Sequence, residues 1–255
     1  MIFYGLEKSS LIEWPGKVSA VLFVGGCNFR CQFCYNRDLV LNYFKLPKIS
    51  EEKILRFLKS RKGLIDGVMI TGGETLAFDE KPKIPNSKSQ NSLIDFIKKV
   101  KKMGFGVGIE TNGSNPDALQ KLIEEKLIDF VAMDVKAPLG LKSQIPNPKF
   151  QIPKYEELTG VKVDLEKIKR SIELIKNSGL DYEFRTTVAP LLSEEDILEI
   201  ANELKGVKKF VLQVFRPVDT LINPRLAKMK FLNQEDLEKI GQKIKDYFEK
   251  FEIRG

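Results

Sequence analysis

All three cysteines of this 255-residue chain fall within eight residues, in Gly25-Gly26-Cys27-Asn28-Phe29-Arg30-Cys31-Gln32-Phe33-Cys34-Tyr35-Asn36, and the chain has no histidine. Histidine-based triads, histidine-ligated zinc and a histidine general base are therefore excluded. An odd cysteine count fits a disulfide framework poorly. A closed zinc site needs four ligands, and here the fourth would have to be a carboxylate or come from another chain. Three buried, inert cysteines would need neither this C-x3-C-x2-C spacing nor a glycine-rich loop. The reading that remains is an iron–sulfur cluster held by three thiolates, with a structural metal as the minor alternative. A 4Fe–4S cluster normally takes four cysteines. With three, one iron keeps an open position, as catalytic zinc does, where a cofactor or substrate can bind.

The elements that must position this loop alternate. The segment 17–24 is apolar and β-branched and ends at Gly25-Gly26, as a buried strand would. Further strands are expected over 68–71, 105–110, 130–136, 182–188 and 210–215. Several are apolar over most of their length, without clean alternation, which suits a parallel sheet covered by helices on one face and filled or closed on the other. Between them lie helical stripes: Leu93, Phe96, Ile97 and Val100; Leu165, Ile168, Ile172 and Ile175; and Ile197, Ile200, Ala201 and Leu204 behind a Ser193 N-cap. Leu237, Ile240, Ile244 and Phe248 imply a last helix over about 234–252. Six strands, each followed by a helix, predict an α/β fold, a partial (β/α)6 barrel rolled by right-handed crossovers. No domain boundary stands out, so one domain over 1–255 is expected, with its core at about 17–217. The proline-rich stretches 79–92 and 138–153 read as long loops at the C-terminal ends of strands, where barrel enzymes build sites.

Lys and Arg outnumber Asp and Glu by 42 to 35, a net charge of +7. The densest run, Lys98-Lys99-Val100-Lys101-Lys102, sits within a helical pattern and reads as a solvated face, so nucleic-acid binding is not expected. A mild basic bias suits an anionic cofactor or an acidic partner surface. No apolar run approaches the ~20 residues of a membrane-spanning helix. No secretory signal is legible, so the cytoplasm is the expected location.

C-x3-C-x2-C with the aromatic Phe33 before the last cysteine resembles the signature of the radical S-adenosylmethionine superfamily. The resemblance implies a 4Fe–4S cluster on Cys27, Cys31 and Cys34 whose fourth iron binds S-adenosylmethionine, with Phe33 near the adenine. One electron then cleaves the sulfonium to methionine and a 5′-deoxyadenosyl radical. Thr71-Gly72-Gly73-Glu74 resembles the Gly-Gly-Glu motif that holds the cofactor's amino group, which needs acceptors and close backbone. The family often has proline where this chain has Thr75. Glu110-Thr111-Asn112-Gly113 resembles the acidic segment of activating enzymes that faces the ribose hydroxyls. Met133-Asp134-Val135-Lys136 resembles their Asp-x-Lys, which implies a catalytic pair at the active-site mouth. On a strand these two side chains share a face. Arg185 resembles an arginine that meets the cofactor carboxylate, and Gln213 a polar cofactor contact.

The opening Gly5-Leu6-Glu7-Lys8-Ser9-Ser10-Leu11-Ile12-Glu13-Trp14-Pro15-Gly16-Lys17 resembles the start of anaerobic ribonucleoside-triphosphate reductase activating proteins, although they often carry histidine where Tyr35 stands. That resemblance implies a glycyl-radical enzyme as partner, an external one-electron donor such as flavodoxin or ferredoxin, and an anaerobic setting. An enzyme that makes 7-carboxy-7-deazaguanine, and a non-catalytic metal-binding protein, are the two alternatives.

Overall fold

The computed structural model describes residues 1–77, 90–140 and 153–255. Among them the strands are β1 (Ile2–Phe3), β2 (Gly5–Ser10), β3 (Ser19–Val24), β4 (Ile49–Ser50), β5 (Gly67–Gly72), β6 (Gly106–Thr111), β7 (Phe130–Asp134), β8 (Asp181–Val188), β9 (Lys209–Val214) and β10 (Lys250–Arg254). The helices are α1 (Arg37–Leu41), α2 (Glu51–Ser60), α3 (Gln90–Lys102), α4 (Pro116–Glu124), α5 (Lys154–Thr159), α6 (Leu165–Lys176), α7 (Glu194–Glu203) and α8 (Gln234–Ile244). The helix starts follow from local chemistry. Ser193 and Asn233 each form a reciprocal capping box with an aspartate three residues on, and Asn115 caps α4 with Pro116 in its first turn.

One sheet runs in the order β10-β9-β8-β7-β6-β5-β3-β2. All its pairings are parallel except the antiparallel β2–β3 pair. The six expected strands form its centre. The alternating side chains divide as a covered sheet requires: Val68 and Ile70, Val107 and Ile109, Val131 and Met133, and Phe184 join the core shared with the helices. On the opposite face Val21, Met69, Phe130 and Ala132 gather around Trp14. Trp14 stacks on Phe130 with ring centroids 5.6 Å apart. A Cβ at Gly67 or Gly106 would lie 2.7 or 2.9 Å from its ring, so glycine makes room for this plug.

The sheet is curled. Glu13 follows β2 and Arg185 lies on β8, with four strands between them. In a flat sheet five strand spacings amount to ~24 Å, yet the two side chains approach to 3.8 Å. An open, partial barrel brings them together across its interior.

Two features differ from the sequence-based expectation. The last helix ends at Ile244, not near 252, and after a 3-10 turn at Lys245–Tyr247 the chain forms β10, parallel to β9. The helical stripe ends there because Phe248 and Phe251 pack on Phe210 of the neighbouring strand. β10 also carries Arg254 to Glu183, whose side chain is fully buried on β8; the guanidinium donates to both carboxylate oxygens at 2.7 Å. A buried carboxylate needs such a partner. The second addition is β2, which widens the sheet beyond Ser19–Val24. Most of the proline-rich stretches 79–92 and 138–153 lies outside the described residues. The lysine run behaves as a solvated face: Lys98, Lys99 and Lys101 pair with Glu125, Glu51 and Asp129, while Val100 is buried.

Candidate functional site

The C-terminal ends of β3 and β5 are locked together by backbone. Gly73 N–H donates to Val24 O and Glu74 N–H to Gly26 O, each at 2.9 Å. A Cβ at Gly73 would stand 2.0 Å from Gly26 O, and one at Gly72, where φ is +121°, would stand 2.3 Å from Val24 O. Only glycine permits this approach. Thr75, in the place where the family often has proline, closes the turn through its hydroxyl, which donates to Ile70 O at 3.0 Å.

The cysteine loop leaves this junction and is held from behind by the end of α5. Arg30 N–H donates to Thr159 O, Gln32 N–H to Leu158 O, and the Gln32 amide to Glu157 O. Arg30 Nη1 bridges Cys27 O and Phe29 O at 2.6 and 2.7 Å, and Phe29 N–H points at Cys27 Sγ from 3.3 Å. Cys31 is buried and Cys27 and Cys34 are half-buried. All three line one cleft of about 690 Å³ at the strand ends. Burial pushes the Cys31 thiol up to about 12 and raises Cys34 as well, so these sulfurs ionise only against a positive charge such as a metal. Among the described residues no three His, Cys, Asp or Glu gather tightly around a single ion. Three soft sulfur donors around a larger opening fit an iron–sulfur cluster.

The same cleft is lined by Phe33, Gly72, Gly73, Glu74, Glu110, Thr111, Asn112, Asp134, Lys136, Arg185 and Gln213. The fold thus gathers every residue the sequence singled out. Their partners are more specific than the motifs suggested. The buried Glu74 carboxylate accepts from the Thr111 hydroxyl and Asn112 N–H, both at 2.6 Å, and from Leu76 N–H at 3.0 Å. It braces β5 against the end of β6 as well as facing the cleft. Asn112 in turn donates to Asn28 Oδ1 in the cysteine loop at 3.0 Å.

On the opposite wall Arg185, only 5% exposed, donates from Nε to Asp134 at 3.0 Å and from Nη1 to Glu110 at 2.7 Å. A solvent-facing arginine is excluded. Glu110 also accepts from the Thr71 hydroxyl. Lys136 pairs with Asp134 at 3.2 Å and lies 5.8 Å from the Phe33 ring centre. Asp134 and Lys136 do share a face. Burial alone would raise both carboxyls, but Arg185 holds Glu110 below the usual carboxylate range, and Lys136 with Arg185 does the same for Asp134. Gln213 accepts from the Thr187 hydroxyl at 3.1 Å.

Glu13 and Tyr155 are among the residues that join the site without having been singled out for it. Glu13, beside Trp14, is pushed up to about 8 by burial and then by Glu110, to which it hydrogen-bonds. Burial and Glu110 thus favour its neutral form, and Glu110 and Asp134 are the carboxylates that pair with Arg185 and Lys136. Glu13 stands in the opening segment already quoted, but its partners lie far away in sequence. Tyr155, fully buried on α5, accepts from Lys136 N–H at 3.4 Å. Nothing local to Tyr155 marks it. Chemically, the cleft offers sulfur donors on one side and a wall of paired charges on the other.

Comparison with known proteins bears on the fold and the family. The Radical SAM superfamily matches residues 21–204. A short match to the LPS binding domain of CAP18 spans residues 230–250, around α8, where Leu237, Ile240 and Ile244 are buried beneath charged neighbours; it carries no argument. The chain is 30% identical over 98% of its length, and 94% of the relative's, to "Putative glycyl-radical enzyme activating enzyme MJ1227" of Methanocaldococcus jannaschii. It is 31% identical to the 7-carboxy-7-deazaguanine synthase of Methanopyrus kandleri, over 54% of this chain and 56% of that one. Among solved structures, Streptococcus suis SuiB bound to S-adenosylmethionine superposes with a TM-score of 0.61 at 16% identity, covering 92% of this chain and 52% of SuiB. The chain thus spans about half the length of SuiB, and at that identity the likeness speaks for the fold.

Proposed function

The chain belongs to the radical S-adenosylmethionine superfamily, and from that premise we propose that it is an activating enzyme that generates a glycyl radical on a partner protein of the anaerobic ribonucleotide reductase kind. The observation that carries this reading is the near full-length similarity to the protein named "Putative glycyl-radical enzyme activating enzyme MJ1227", joined to three cysteines lining one cleft. When bound, the cluster and S-adenosylmethionine supply a one-electron reductive cleavage that ends in hydrogen-atom abstraction from a glycine Cα.

The chain's residues supply position. Cys27, Cys31 and Cys34 would hold the cluster. The glycines at 72 and 73 would let backbone approach the cofactor's amino group, and Glu74 would supply a carboxylate to it. Phe33 would pack near the adenine, and Glu110, Thr111 and Asn112 would meet the ribose. Asp134, Lys136, Arg185 and Gln213 line the cleft and would face the cofactor's carboxylate and the substrate. Because Arg185 is already paired with Glu110 and Asp134, an incoming carboxylate competes for a guanidinium that is held in place rather than free to swing. Exposed Ile12 and Val218 also line the cleft, giving its rim an apolar edge against which a protein loop can pack.

The partial match to 7-carboxy-7-deazaguanine synthases supports a second reading, a radical enzyme acting on a small molecule. One labelling experiment separates the two. Anaerobically reconstituted protein is given reductant, S-adenosylmethionine and a glycyl-radical reductase whose glycine carries α-deuterium. The activase reading expects that deuterium in 5′-deoxyadenosine. No transfer from the protein, with transfer from a labelled free nucleoside or pterin, assigns the small-molecule reading instead.

A further inference from the structure

Helix α5 meets the cysteine loop and the end of β7 at once. Its buried face is Tyr155, Leu158 and Thr159, which follow the i, i+3, i+4 spacing of one helix face. The carbonyls of Thr159 and Leu158 accept from Arg30 N–H at 2.8 Å and from Gln32 N–H at 3.1 Å, so the helix grips the residues on either side of Cys31. Cys31 is buried in the same core as Tyr155. Earlier on the helix, the Tyr155 phenol oxygen accepts from Lys136 N–H at 3.4 Å. The Lys136 ammonium in turn lies 5.8 Å from the ring centre of Phe33, two residues beyond Cys31.

Two groups here lack a complement. Tyr155 is 1% exposed, and its O–H proton has no acceptor among the described residues. A phenol can donate as well as accept, and a buried donor is costly to leave unused. Cys27 Sγ has Phe29 N–H pointing at it from 3.3 Å, whereas Cys31 Sγ has no donor among the described residues. Burial pushes the Cys31 thiol up to about 12, so its thiolate form is the one in need of support.

We propose that Tyr155 donates its O–H to the sulfur at the Cys31 corner of the cluster, thiolate or sulfide, and so raises the cluster's reduction potential. The inference rests on reading Cys27, Cys31 and Cys34 as cluster ligands. Reduction adds negative charge, and a hydrogen bond to sulfur favours the more negative state. Lys136 N–H, donating to the same oxygen, polarises the phenol and strengthens its donation. Burial above all holds the phenol above its ordinary range, against the pull of Lys136, so the proton stays in place. Tyr155 thus sets how readily an external donor can load the electron that cofactor cleavage consumes.

The test compares the reconstituted wild type with Tyr155→Phe, which keeps the ring and its packing. Tyr182→Phe is the control. The Tyr182 hydroxyl likewise accepts a backbone N–H, from Lys208 at 3.1 Å, but it sits at the start of β8, opposite the strand ends that carry the cleft. Reduction potentials are read by electron paramagnetic resonance in a mediated dithionite titration, without S-adenosylmethionine or substrate. Fe–S stretching frequencies are read by resonance Raman in light and heavy water. Tyr155→Phe should bind iron as the wild type does. Its reduced-to-oxidised ratio at a given potential should be about 10-fold lower, a shift of ~59 mV to lower potential. Its Fe–S stretches should respond less to heavy water, and Tyr182→Phe should match the wild type in both measurements. Equal potentials in Tyr155→Phe and wild type, an equal fall in both tyrosine variants, or an undiminished heavy-water response in Tyr155→Phe overturns the proposal. Loss of iron uptake in Tyr155→Phe alone makes the hydroxyl a structural group and overturns it as well. A wild type that takes up no iron overturns the cluster reading itself, and this inference with it.

Discussion

Replacing Glu13 by glutamine should remove a pH dependence that the fold imposes on this chain. Burial and the neighbouring Glu110 carboxylate raise Glu13 from the ordinary 4.5 to about 8. Between those values the native protein keeps a proton that the unfolded chain has released. The unfolding free energy therefore falls as pH rises, by at most ~1.4 kcal/mol per pH unit. From pH 6 to pH 8 the ceiling is ~2.7 kcal/mol. The Glu13 side chain is 32% exposed, and solvent screening reduces the expected loss to roughly 1–1.5 kcal/mol. Glutamine keeps a donor for Glu110 but has no proton to lose, so Glu13→Gln should match the wild type at pH 6 and exceed it at pH 8. The assay is urea unfolding of the anaerobic apoprotein at pH 6, 7 and 8. It can be followed by fluorescence of Trp14, the single tryptophan and the next residue in the chain. The absence of histidine removes the usual source of competing titration in this range. Wild type and variant losing stability in parallel from pH 6 to 8 would show that Glu13 is not held protonated, and the pairing of charges on the inner wall would need another account.

Three further perturbations test the site piece by piece. Arg185→Ala leaves Glu110 without a cationic partner and Asp134 with Lys136 alone, and should cost about 3–5 kcal/mol in chemical denaturation; a loss below ~1 kcal/mol would mean that these groups are solvated. Gly73→Ala places a methyl group 2.0 Å from Gly26 O. It should destabilise the fold by roughly 1–3 kcal/mol and lower the iron bound per chain on reconstitution; unchanged iron content and stability would contradict backbone contact between the two loops. Cys31→Ala should abolish reductive formation of 5′-deoxyadenosine, and production at the wild-type rate would remove Cys31 from the cluster.

Much of this site was legible because it is local. The three-cysteine set Cys27, Cys31 and Cys34 depends on spacing within one loop, and the glycines at 25, 26, 72 and 73 announce close backbone approach wherever their partner lies. The strand-helix rhythm and the Ser193 cap are likewise short-range, since apolar period and side-chain capping act over a few residues. The same-face placement of Asp134 and Lys136 follows from strand geometry alone.

What the tertiary structure decided is how distant groups meet. No local pattern could show that Glu13 and Arg185 face one another, because their contact depends on how far a sheet with four intervening strands curls. Nor could it show that Glu74 braces Thr111 and Asn112, or that Arg185 is shared between Glu110 and Asp134. The end of the chain is the plainest case. Leu237, Ile240, Ile244 and Phe248 keep a helical period that only the packing of Phe248 and Phe251 against Phe210 interrupts. Residues 250–254 become a strand because an open sheet edge and the buried carboxylate of Glu183 await them. Periodicity reports which face of an element is apolar; which element lies opposite, and with what charge, is fixed only when the sheet closes around it.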